Sequence, residues 1–124
     1  MTDPLTALAV KYFTALDARD LDALADTMAP DCVLSIETHG VVYNGRDAIC
    51  DLFAKRWQGP QRAIHHDFTH TPSPETGRIA SQFTVTYSGP GAWDPKSNAN
   101  VFSIHDEKIT KIAVYMSGAN TIKV

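Results

Sequence analysis

Cysteine is scarce in this chain: only Cys32 and Cys50 in 124 residues. They form no CxxC pair, so no disulfide framework or thiolate metal site is expected. Both read as reduced packing thiols of a cytoplasmic protein. Glycine and proline are also few, seven of each, which excludes a low-complexity segment. Long apolar runs are missing, so no membrane span is expected. Met1-Thr2-Asp3-Pro4 has neither a basic nor an apolar stretch, which argues against a secretion signal. Basic charge is in deficit: 11 Lys and Arg against 14 Asp and Glu give a net charge of −3. Nucleic acid, which selects basic surfaces, is therefore not an expected partner. No phosphate-cradling glycine loop and no Gly-x-Ser-x-Gly elbow is present; Gly89-Pro90-Gly91 reads as a hairpin loop. Nothing calls for a cofactor. No acidic cluster accompanies the histidines at ligand spacing. Two histidines four apart on a strand would stand roughly 13 Å apart, so no metal site is expected either.

What remains is an ordinary globular composition, 44% hydrophobic and 20% charged. Residues 1–124 are expected to form one domain that buries about two-thirds of its unfolded surface. Leu5, Leu8, Ala9, Tyr12, Phe13 and Leu16 make one helical stripe, capped by Thr2 or Asp3 with Pro4 in the first turn. Leu21, Leu24, Ala25 and Met28 predict a second short helix, stopped by Ala29-Pro30-Asp31. Strands follow at Cys32–Thr38 and Val41–Tyr43, then a third helix from about Arg46 to Trp57. After Pro60 the period changes from 3.6 to 2. Strands are expected at Arg62–Thr71, Ile79–Ser88, Asn98–His105 and Ile109–Ser117. Three helices followed by an antiparallel meander predict an α+β fold, with helices on one face of a curved, mainly antiparallel sheet.

Three stretches carry a family resemblance. Tyr12–Asp22 ends in an Asp-Leu-Asp step into the second helix. Ala29–Leu34 leads to Tyr43-Asn44-Gly45-Arg46-Asp47-Ala48-Ile49, an aromatic-x-Gly-Arg-x-x-Ile pattern. The third is Lys108-Ile109-Thr110-Lys111-Ile112. Together they resemble the NTF2-like superfamily, in particular its SnoaL-like and ketosteroid isomerase-like members. The resemblance implies a cone-shaped fold enclosing a deep, mostly apolar pocket for a small apolar ligand. It also implies a homodimer through the convex sheet face. Fold alone does not set chemistry, so the inward polar side chains decide the function.

By resemblance, Tyr12 matches the oxyanion-hole tyrosine of the isomerase, though it also fits a core tyrosine. Asn100 matches the second donor of that site, and a neutral amide donates at any pH. The isomerase's base position falls on Ile36, which cannot move a proton. Glu37, one residue on, is expected to face the other way. A replacement base is sought in His65-His66-Asp67-Phe68-Thr69-His70. In a regular strand, His66, Phe68 and His70 share one face and His65 and Asp67 the other. This selects His66 as base candidate, with His70 second; a solvent-facing histidine cluster is the competing reading. Leu34, Ile36, Phe53, Trp57, Phe83, Phe102, Val114 and Met116 are expected to line the pocket. Epoxide hydrolysis by an Arg and two Asp is not expected, because the central strands offer Gln82, Thr84 and Asn100 instead.

Two functions fit these residues. One is an acid–base enzyme, an isomerase, cyclase or dehydratase acting on an apolar cyclic substrate. The other is a non-catalytic ligand-binding or dimerization module.

Overall fold

The computed structural model describes residues 3–122. Helix α1 spans Pro4–Ala18 and starts where the carboxylate of Asp3 accepts the N–H groups of Leu5 (2.8 Å) and Thr6 (3.3 Å). That satisfies donors with no partner inside the helix. Thr2, the alternative cap, lies outside the described residues. The helix ends on Arg19 in the left-handed conformation (φ 54), with Asp20 N–H closing on the carbonyl of Ala15 at 3.0 Å. Asp20 then caps α2, Leu21–Asp26, through Ala23 N–H.

The second helix is shorter than its sequence pattern. Met28 is already the first residue of strand β1, Met28–Ile36, because Ile109 N–H takes the Thr27 carbonyl at 2.8 Å and opens a parallel ladder. Tertiary pairing overrides the helical spacing of Met28, and Pro30 sits in the register shift between Met28 and Val33. Strand β2 is Val41–Asn44 and helix α3 is Arg46–Arg56. Strands β3 (Arg62–Ser73), β4 (Arg78–Ser88), β5 (Lys96–His105) and β6 (Lys108–Tyr115) follow.

The six strands form one curved, unclosed sheet in the order β2-β1-β6-β5-β4-β3. Every pairing is antiparallel except β1 with β6. The helices pack on one face. Leu34, Ile36, Phe102 and Ile112 are fully buried from the strands, and Ala9, Tyr12, Phe13 and Leu24 from the helices. Phe13 is the hub of an aromatic cluster. Its ring lies 4.8 Å from Phe68, 4.9 Å from Phe83 and 5.3 Å from His65. Among the described residues no helix is long and apolar enough to cross a membrane.

One irregularity in β3 changes the alternation of its side chains. His66 pairs with Thr84, but Thr69 pairs with Gln82: three steps along β3 match two along β4. The extra residue is taken up at Asp67, which adopts φ 56. This is a β-bulge with the left-handed residue that Gly, Asn or Asp tolerates best. Before it, Ala63 and His65 face the helices; after it, Phe68 reaches the same cluster. The regular-strand assignment of His66, Phe68 and His70 to one face is thereby corrected: His65, not His66, shares the inner face with Phe68.

Two stability predictions follow from these placements. Replacing Asp67 by Val, which resists positive φ, should cost about 1–2 kcal/mol in urea unfolding, whereas Asp67→Gly should be neutral or stabilising. A Val variant as stable as the parent would show that the chain does not need the left-handed residue there. The Cys32 thiol, fully buried, is pushed up to about 12 by desolvation, from 9.0 when exposed. Its contribution to stability is complete below pH 9 and is lost as pH rises from 9 towards 12, because only the unfolded chain releases the proton. Stability should fall by about 1 kcal/mol between pH 8 and pH 10, and Cys32→Ala, though less stable at neutral pH, should show a shallower slope. Equal slopes would refute the assignment.

Candidate functional site

Three parts of the fold meet around one interior cavity: the last turns of α1, the junction from α3 into β3, and the inner face of β4, β5 and β6. Its enclosed volume is about 50 Å³, room for water-sized guests, and about 680 Å³ when the open mouth is included. The space is narrower and more polar than the family resemblance implies. The α3–β3 loop closes over it, because the Arg19 guanidinium donates to the carbonyls of Trp57 (2.7 Å) and Gln61.

His65 is the histidine at this cavity. Its ring nitrogen Nδ1 lies 2.6 Å from Asp17 Oδ1, and its backbone N–H also donates to that carboxylate, at 3.1 and 3.2 Å. Asp17 stands one turn after Phe13 on α1, so the helix that packs the aromatic cluster also delivers the carboxylate. A carboxylate only accepts, so Nδ1 carries a proton, and in the neutral ring Nε2 is the nitrogen with the lone pair. The two side chains are 15% and 23% exposed. The imidazole is thus held in one orientation in a partly desolvated setting.

His66 does not line the cavity. Its side chain is 42% exposed on the opposite face, where Nε2 meets Thr86 Oγ1 at 2.6 Å and Nδ1 meets Asp67 at 3.1 Å. The bulge follows His66, so the alternation that should have paired it with Phe68 is broken before Phe68 is reached. His70 lies beyond the cavity. It stacks on Phe68 (5.1 Å) and bonds Ser81 Oγ (2.8 Å), and burial pulls its pKa below the usual histidine range.

Tyr12 and Asn100 both line the cavity. Tyr12 is 1% exposed, and desolvation drives its phenol well above the ordinary range, so it stays a neutral donor. Among the described residues its hydroxyl enters no hydrogen bond. Asn100, on the inner face of β5 between Ser81 and Val114, is 4% exposed, and its Oδ1 is buried without a partner. An unpaired buried amide oxygen is costly and points to a guest or a function. Gln61 Oε1 is in the same state while its Nε2 donates to Gly91 O at 2.7 Å.

Of the expected apolar lining, Phe53, Trp57, Phe83 and Val114 face the cavity. Leu34, Ile36, Phe102 and Met116 are instead buried in the core, outside the lining. Phe102 sits deeper because Tyr12 and Phe13 pack against it, with rings 5.2 and 5.8 Å away. Glu37 is exposed and accepts from Ser35 Oγ, so no carboxylate turns in from β1.

Two cavity features had no signal in the sequence. Arg19 and Arg56 both line it, and Arg56 lies over the Trp93 ring at 5.5 Å. Tyr87, also on the lining, bonds Thr121 Oγ1 at 2.7 Å. The arginines fall on exposed-looking helix ends, and only the path of the α3–β3 loop turns them inward. No aspartate or glutamate lines the cavity among the described residues, so the Arg and two Asp of epoxide hydrolysis are not assembled there.

Solved structures share this architecture. A candidate polyketide cyclase from Xanthomonas campestris superposes with a TM-score of 0.81 at 21% identity, over 92% of this chain and 90% of that one. A candidate ketosteroid isomerase from Kribbella flavida gives 0.72 at 16%, over 96% and 82%. An NTF2-like protein of unknown function from Cytophaga hutchinsonii gives 0.74 at 9%, over 94% and 93%. At these identities the likeness shows the fold. No functionally curated protein matches the chain. The SnoaL-like domain model matches residues 9–112, from the middle of α1 to the middle of β6 and so across every element that builds the cavity, and the chain belongs to the SnoaL-like family within the NTF2-like fold.

Proposed function

We propose that this protein is an acid–base enzyme of the isomerase, cyclase or dehydratase type, acting on a small cyclic carbonyl compound. The observation that carries the reading is the Asp17-oriented His65 opening on a cavity that also holds Tyr12 and Asn100. His65 Nε2 removes a proton from the carbon next to the carbonyl. The C–H electron pair moves into the new C=C bond, and the carbonyl π pair moves onto oxygen. Tyr12 O–H and the Asn100 amide donate to that oxyanion. Return of the proton to another carbon isomerises the substrate. Attack of the enolate on a second carbonyl cyclises it, and loss of a β-hydroxyl as water dehydrates it. Asp17 stabilises the imidazolium formed on the way and holds the ring in place.

The enclosed volume favours a second reading, a non-catalytic ligand-binding or dimerization module, because a ring must displace the α3–β3 loop to enter. Assembly is part of either reading. We propose a homodimer through the outer sheet face, where Ile64, Tyr115 and the neighbouring Thr86 lie exposed. About 800 Å² per subunit would suffice. Ile64→Lys with Tyr115→Glu should convert a dimer into a monomer by light scattering, and a monomeric parent would refute the assembly.

The catalytic reading predicts exchange of the α-protons of small cyclic enones in D₂O, followed by NMR. His65→Ala should slow exchange roughly 10²–10⁴-fold and Tyr12→Phe about 10²-fold. His66→Ala should leave it unchanged. No exchange by the parent protein across such a panel, or full exchange by the His65 and Tyr12 variants, would favour the binding module.

A trade of stability for function is expected at Asn100. Asn100→Leu keeps the branched shape, with somewhat larger bulk beside the cavity, and removes a buried amide whose oxygen is unpartnered, so the variant should be as stable as the parent or more stable by about 1 kcal/mol. It should at the same time lose at least tenfold in exchange. A variant that is destabilised by several kcal/mol would show that the amide serves packing.

A further inference from the structure

We propose that the substrate carries a single carboxylate and that Arg56, at the mouth of the cavity, takes it. The inference rests on the acid–base reading of the same cavity and adds the substrate's charge and polarity.

Charge distribution is the first argument. The chain holds more acids than bases, 14 against 11. Yet two arginines line the cavity and no Asp or Glu does, among the described residues. Those two arginines differ in their bonding. Arg19 is committed to the carbonyls of Trp57 and Gln61. The Arg56 guanidinium enters no hydrogen bond and no ion pair among the described residues; its marked contact is with the Trp93 ring, 5.5 Å from the ring centre. A guanidinium stacked on an indole keeps its in-plane N–H fork available for a carboxylate.

Arg56 also ends α3, where a cation offsets the helix dipole. That role does not require a place in the cavity. Its neighbour Lys55 sits in the same last turn, exposed, paired with Asp51 at 2.9 Å. Arg56 instead turns inward, towards Tyr87 and Trp93, whose rings pack edge-on at 5.3 Å. Burial disfavours its charge most; Tyr87 beside it offsets part of this, Arg19 adds to it, and no carboxylate is among the groups that act on it. An arginine does not shed its proton, so the missing counter-charge is left for a guest.

The number of free donors selects the anion. One uncommitted guanidinium supplies one positive charge and one planar fork, which match a monocarboxylate. A phosphate dianion would leave a charge and an oxygen unserved. The substrate would then lie with its carbonyl at Tyr12 and Asn100 and its carboxylate at the mouth.

The test uses 3-(4-hydroxyphenyl)propanoate and its neutral primary amide, two probes of nearly equal shape whose phenol suits the Tyr12 end. Binding is read by tryptophan fluorescence, since Arg56 lies on Trp93, and by calorimetry. The acid should bind the full-length protein about 10–100-fold more tightly than the amide, the span of one charge-assisted contact. Arg56→Gln should erase the preference and Arg56→Lys should retain part of it. Unfolding curves of both variants establish that they fold. Equal binding of acid and amide, a preference that survives in Arg56→Gln, or no binding of either probe at millimolar concentration would each overturn the proposal. The catalytic reading fails separately. An acid preference lost in Arg56→Gln, with no α-proton exchange in any substrate, keeps the anion site and removes the chemistry. Exchange of neutral enones without any acid preference does the reverse.

Discussion

The contact between Asp17 and His65 ties the frame of this protein to its cavity. The carboxylate accepts from the ring and from the backbone N–H of one residue, so it holds α1 against the first half of β3. Strand β3 is an edge strand, paired only with β4. Apart from its ladder with β4, the near end of β3 is held to α1 by this tether and by Arg19, which donates to the Gln61 carbonyl. The bond to Asp17 also fixes the imidazole tautomer. A single pair thus couples the packing of α1 on β3 to the orientation of the imidazole, and under the proposed chemistry a change at Asp17 is expected to show in stability and in proton transfer alike.

The rest of the site is arranged around this pair by aromatic packing. Phe13, one turn before Asp17, touches His65, Phe68 and Phe83. Tyr12 precedes Phe13 and turns to the other side of the stripe, against Phe102. Neighbouring positions of one helix therefore supply a donor, a packing hub and, four residues later, the carboxylate. Arg19 completes the series at the helix end, where its positive φ aims the guanidinium at the α3–β3 loop. The cavity exists because α1 presents polar groups along the edge of its apolar stripe.

Much of this was legible in the sequence. The helical stripe containing Tyr12, the change of period after Pro60 and the inward alternation of Asn100 with Phe102 follow from spacing, and the structure places them accordingly. The choice of histidine was not legible. His65 and His66 are adjacent, so a single inserted residue decides between them, and Asp67 in a strand of β-branched and aromatic residues was the one mark of it. Aspartate tolerates the left-handed region, but it is also common on exposed strand edges, so its presence alone does not announce a bulge. The partner of His65 was hidden for another reason. Asp17 lies 48 positions away on a different element, and no local pattern encodes a pairing at that separation.

The inward arginines extend the same point to the ligand. Arg19 and Arg56 stand at helix ends, where sequence reasoning assigns cations to the dipole or to solvent. Their side chains become part of the interior only through the α3–β3 loop and the β4–β5 loop that carries Trp93, two irregular segments without periodicity to read. Apolar residues in regular elements define where the cavity lies, while residues at the ends of those elements define its charge. In a fold shared by proteins of many activities, the polar rim is thus where specificity has room to change without disturbing the core. Here two arginines line the cavity beside Tyr12, Asn100 and His65, so a ligand with a carbonyl at one end and a charge at the other, as proposed above, would meet different elements, α1 with β5 at one end and the end of α3 at the other.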